Sequence, residues 1–258
     1  MPTSRAVPIS LAAAADLTRT GDLWLFRGRT PADRTIQTLT NAPVNHVGMA
    51  LVVDDLPPLL WHAELGRSLP DVFTGQHQRG AQLHHLVDAV RVWSGRYGQR
   101  AWLRQLEPEA GRAAEDAALR VVARLDGTPF PSTAGLVARW AGGRVRRRSR
   151  DRALETAYCA EVVAMTYQAM GLLPADRAPS WYDPGRFWSG DDLELLGGAT
   201  LGDEVPVRVA APDPATDPVT DPAPDGAAPR RGPRAWTPWR SWPPPWQEHR
   251  ARLGRSRG

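Results

Sequence analysis

Lysine is absent: all 32 basic residues of the 258-residue chain are Arg. Every basic side chain is therefore permanently charged and able to fork onto carboxylates or phosphates. The missing Lys, beside abundant Ala, Arg, Gly and Pro, reads as GC-rich coding and hints at a bacterial source. Cysteine occurs once, at Cys159. No intramolecular disulfide can form, which excludes a disulfide-stapled secreted scaffold. Long apolar runs are missing too. The run Ile9–Ala15, broken by Ser10, falls short of the ~7–15 apolar residues of a signal peptide. No stretch reaches the ~18 needed for a membrane span. A cytoplasmic location, membrane-peripheral at most, is the expectation.

What is present suits a folded body with an appended tail. Length allows one or two domains, and 42% hydrophobic residues supply a core. The net charge of +4 is uneven. Residues 230–258 hold eight Arg and one Glu, a net +7, which leaves the preceding 229 residues at −3. The basicity belongs to the tail, so the body is not expected to bind nucleic acid specifically. The predicted boundary separates a catalytic domain, 1–209, from an Asp-Pro linker and Arg/Trp/Pro-rich tail, 210–258. Asp213-Pro214, Asp217-Pro218 and Asp221-Pro222 mark the linker as extended. Trp236, Trp239, Trp242 and Trp246 among Arg and Pro suit an anionic membrane surface. Stacking on single strands, docking through Pro243–Pro245 and a merely solvated extension are the other readings.

Within the body, Leu23–Phe26 reads as a strand after the Gly21-Asp22 turn. A helix opens at Thr30-Pro31 and ends near Thr40. Val47–Val53 and Leu59–Glu64 form an antiparallel hairpin across Asp54–Pro58. Gln82–Val87 and Ala89–Trp93 offer further strands, with a loop over 65–80. Helices are expected over 108–125, 132–140 and 156–170, a basic loop over 144–152, and a last strand within 191–209.

Three residues carry candidate chemistry: His46, His62 and Cys159. His46 opens the first hairpin strand and His62 lies on its partner. The two become neighbours if they share a face. Thr156-Ala157 suggests a helix start, which would put Cys159 in the first turn, where free N–H groups favour a thiolate. His46 could take the proton, a third polar group could fix its tautomer, and the Cys159 N–H could serve an oxyanion. The plain alternative is a buried Cys and solvated histidines.

The order Gly21-Asp22-strand, Asn45-His46-Val47-Gly48, second strand, then a distant Tyr158-Cys159-Ala160-Glu161 helix resembles the permuted branch of the NlpC-type, papain-like cysteine peptidases. That branch includes lecithin–retinol acyltransferase-like proteins. The resemblance implies an α+β fold with an antiparallel sheet packed on helices. It also implies a hydrolase or acyltransferase that attacks peptide-like or lipid acyl substrates through a thioester. It gives Cys159 as nucleophile, His46 as base and His62 as third member. Glu64 is the alternative orienting group, since it shares the His62 face, and Tyr158 flanks the nucleophile. Relatives often carry Glu where this chain has His62. Neither metal nor cofactor is implied. Trp181, Tyr182, Phe187 and Trp188 would either suit an acyl chain or simply pack.

Two other classes compete. A zinc site would draw on His46, His62, His84, His85 and Cys159, but His84 and His85 are adjacent and point to opposite faces of a strand. A non-catalytic protein on the same fold would bind a lipid or other ligand in the groove.

Overall fold

The computed structural model describes residues 7–28, 43–54, 56–64, 68–127, 147–191 and 193–210, with 147–157 and 191 described by backbone alone. The chain divides into two units, 1–215 and 216–258. The second unit, with the tail and its expected membrane contact, lies outside the described residues. So do the expected helices over 30–40 and 132–140.

The first unit is α+β. Its strands are β1 (Ile9–Ser10), β2 (Leu23–Arg27), β3 (His46–Leu51), β4 (Leu59–Glu64), β5 (Gly80–His85), β6 (Arg100–Arg104), β7 (Leu106–Glu107), β8 (Thr200–Leu201) and β9 (Val205–Arg208). Its helices are α1 (Leu11–Leu17), α2 (Leu86–Tyr97), α3 (Arg112–Leu125) and α4 (Arg147–Ala169). Short 3-10 turns cover Pro179–Trp181, Pro184–Phe187 and Ser189–Asp191. One seven-stranded sheet runs β1-β9-β6-β2-β3-β4-β5, with β7 and β8 as a separate pair. All pairings are antiparallel except β1 with β9. No described helix is long and apolar enough to cross a membrane.

The expected hairpin is there, with Met49 opposite Trp61 and Leu51 opposite Leu59. Both faces of the sheet are covered, so β3 and β4 are buried along their whole length and β2 along all but its last residue. Side chains still alternate between faces. Leu23, Leu25, Val47, Met49, Trp61 and Leu83 pack with α3 and α4. Trp24, Phe26, Ala50, Leu60, Ala101 and Leu103 pack with α1 and α2. The Trp61 indole donates to Thr166 Oγ1 on α4 at 3.0 Å, which pins that helix to its face. Gly48 leaves room for its neighbour: a Cβ there would stand 2.8 Å from Leu60 Cδ1.

Two expected elements differ. Ala89–Trp93 is helical, inside α2. Leu86, Ala89, Val90 and Trp93 are its buried residues, spaced three and four apart, and Gly98 ends it in the left-handed region. The stretch expected as a basic loop over 144–152 is helical from Arg147 onward. Arg is a good helix former, and the helix runs straight through the expected start at Thr156.

Candidate functional site

The longer α4 changes the position of Cys159. Twelve helical residues, Arg147–Tyr158, precede it. The positive end of a helix acts over its first turn only, so that field does not reach the sulfur. The Cys159 N–H sits in a helix interior, where backbone donors are already paired. It is not an oxyanion donor there.

Cys159 is completely buried, in the apolar layer formed with Val47, Met49, Trp61, Tyr158 and Val163. Val47 and Met49 project from β3 to the α4 side. His46 lies one residue from Val47 and projects the other way. The His46 ring packs against Trp93 of α2 at 4.6 Å between centroids and lies 5.9 Å from Phe26. His62 occupies the same side, 5.4 Å from the His46 ring and 4.8 Å from Trp93. The sheet brings His46 and His62 together, as expected, and places Cys159 behind it. The expected Cys–His dyad is therefore not assembled, because its members leave the sheet on opposite faces.

The α2 face carries a polar cluster instead. His62 and Glu64 are two residues apart on β4 and share a side. His84, on β5 opposite Leu60, joins them. His62 Nε2 and His84 Nδ1 approach to 3.0 Å. The donor atoms of His62, Glu64 and His84 all lie within 4.8 Å of one another, and all three residues are buried. This is the one grouping with metal-ligand proximity among the described residues. His84 and His85 do point to opposite faces of β5: His84 is buried and His85 exposed. His84 alone of the two enters the grouping, which includes Glu64 and leaves out His46, His85 and Cys159.

Burial sets the charge states. It pushes His46 down to about 3 and His84 down to about 4. His62 is held well below the usual imidazole range by burial and then by its two histidine neighbours. All three are neutral at neutral pH. Burial raises the Glu64 carboxyl, partly offset by bonds from Ser68 and Trp93. The Ser68 hydroxyl donates to Glu64 Oε2 at 2.8 Å.

Several polar atoms on this face are buried without a hydrogen-bond partner: Trp24 Nε1, His46 Nε2, His62 Nδ1 and both amide atoms of Gln82. Gln82 stands directly across from His62. Sequence reasoning missed Gln82 and Trp93. Gln82 carries no signal by itself, and the residue types around Trp93 favour a strand. Among the aromatics of the later loops, Tyr182 and Phe187 are core residues, Trp188 packs on Trp102, and Trp181 is exposed. The exposed Trp181 ring is stacked by the guanidinium groups of Arg177 and Arg186.

No family model matches the chain, and no curated protein matches it. Among solved structures, it is similar to one described as metalloprotein yiiX from Escherichia coli O157:H7, DUF1105, at 18% identity and a TM-score of 0.37. The match covers 58% of this chain and spans 65% of that one. Likeness at this level decides nothing about the site.

Proposed function

We propose that this protein is a non-catalytic ligand-binding protein on a permuted papain-like scaffold, with its ligand held on the histidine face of the sheet. The order of its parts supports the scaffold: a Gly21-Asp22 strand, the His46 strand, its hairpin partner, then the Cys159 helix.

One observation carries the binding reading. Four side chains on a single sheet face, Trp24, His46, His62 and Gln82, bury polar atoms that have no partner. A buried unpaired group costs about 1–3 kcal/mol, and native proteins leave few of them unexplained. Such a concentration is accounted for by a bound species that completes the hydrogen bonding. A thiol hydrolase would instead need Cys159 to meet an imidazole, and Cys159 lies across the sheet from both histidines of the expected triad.

The test is made on the full chain. Native mass measurement should show a stoichiometric bound species that departs on unfolding; a native mass equal to the bare chain counts against the reading. Incubation with activated acyl esters and amides should leave no adduct on Cys159. An acyl adduct that disappears in Cys159→Ser overturns it.

A further inference from the structure

We infer that His62, Glu64 and His84 form a binding site for one divalent transition-metal ion. This names the ligand class of the face proposed above, and so rests on that reading.

The distances fit the chemistry. Two imidazole nitrogens bound to one zinc at about 2.0–2.1 Å stand roughly 3.3 Å apart in tetrahedral geometry. His62 Nε2 and His84 Nδ1 are 3.0 Å apart, close to that separation. Glu64 completes the trio from the same strand face, within 4.8 Å. Two imidazoles and a carboxylate are a donor set for zinc or another first-row transition ion, whereas calcium and magnesium prefer all-oxygen sets.

The Ser68 hydroxyl donates to Glu64 Oε2 at 2.8 Å from outside the trio, as partners that orient a ligand do.

The surroundings suit water as the remaining ligand. Gln82 and His46 border the trio and keep unpaired polar atoms. Each can bond a water that serves as a further ligand of the ion. A histidine pair bridged by a single proton would satisfy the 3.0 Å contact, but it leaves Glu64, Gln82 and His46 without a reason to converge.

The full chain, stripped with a chelator, is titrated with Zn²⁺ by calorimetry and with Co²⁺ by visible absorption. One ion per chain is expected, with a rise in melting temperature and a Co²⁺ band of nitrogen–oxygen ligation. His62→Ala, His84→Ala and Glu64→Gln should each weaken binding by roughly tenfold or more. A His77→Ala/His85→Ala double variant, which removes exposed histidines outside the trio, should leave binding unchanged. Melts of the metal-free variants establish that they fold, and Glu64→Gln keeps the shape of the side chain should an alanine variant fail. No saturable binding, or binding indifferent to Glu64→Gln and His84→Ala, overturns the inference. An organic species retained on the native protein with no response to metal overturns it while leaving the binding reading intact. A bound metal together with thiol-dependent acylation would do the reverse.

Discussion

His46 and Cys159 belong to opposite faces of one β-sheet. His46 lies against Trp93 beneath α2, while Cys159 packs with Val47 and Met49 beneath α4. A thiol reacts as thiolate when accessible and electrostatically favoured. Cys159 has no exposed surface and sits beyond the reach of the helix terminus. A thiol-directed probe should modify it slowly in the native chain and rapidly after unfolding. His46→Ala should leave the native rate unchanged. Fast native labelling that collapses in His46→Ala would restore the hydrolase reading.

The bond between Trp61 and Thr166 holds α4 on the sheet. Thr166 also donates to Val162 O at 2.8 Å, so its hydroxyl serves two partners. Thr166→Val strands the indole N–H in an apolar layer and should cost about 1–3 kcal/mol. Trp61→Phe removes the donor and some packing. Because both changes break one bond, the double variant should lose less than the sum, by about 1 kcal/mol. Urea unfolding of the four chains measures the cycle; strict additivity would mean that the bond contributes nothing.

Asp126 gives the fold a dependence on pH. Burial first, and then the neighbouring Asp71 carboxylate, raise Asp126 to about 7 from 3.8. Asp71 accepts from the N–H groups of Phe73, Thr74 and Leu83, and the protonated Asp126 donates to it. The folded chain therefore keeps a proton that the unfolded chain releases. This stabilisation is complete below about pH 4 and is lost as pH rises through about 7. Asp126→Asn cannot ionise. Its melting temperature relative to wild type should climb between pH 5 and pH 8. A constant difference over that range would place Asp126 outside any shared-proton contact.

Much of the scaffold is readable from sequence, and the parts that are not share a cause. The β3–β4 hairpin announces itself through Asp54–Pro58 and the apolar runs beside it. Its side-chain parity, with His46, Gly48 and Ala50 on one side and Val47, Met49 and Leu51 on the other, is also legible. Which face α4 would cover is not, because that choice is made by packing between distant segments. The site follows the same division. His62 and Glu64 share a face by spacing alone, but the approach of His84 depends on the register of β4 with β5. Val90, Val92 and Trp93 are residue types that favour strands, and only the three- and four-residue spacing of Leu86, Ala89, Val90 and Trp93 marks the segment as α2.

His46 separates the two readings of this face most cleanly. As a catalytic base it would be needed for activity and indifferent for stability. As a buried imidazole with an unpaired Nε2 it burdens the metal-free fold. Replacing such a group with an apolar one of similar shape removes the desolvation penalty and is near neutral or stabilising. Phe26 and Trp93 already surround the ring with aromatic edges, a setting that a phenyl group can share. His46→Phe should thus unfold at an equal or higher urea midpoint than the metal-free wild type. His46→Leu serves as the smaller counterpart in case the phenyl group overpacks the pocket. The same substitutions should weaken retention of the bound species only modestly, because His46 borders the trio and stands outside it. A loss of more than about 2 kcal/mol in both variants would show that the His46 ring makes a stabilising bond of its own in the native chain and would remove it from the unpaired groups that favour a bound species on this face.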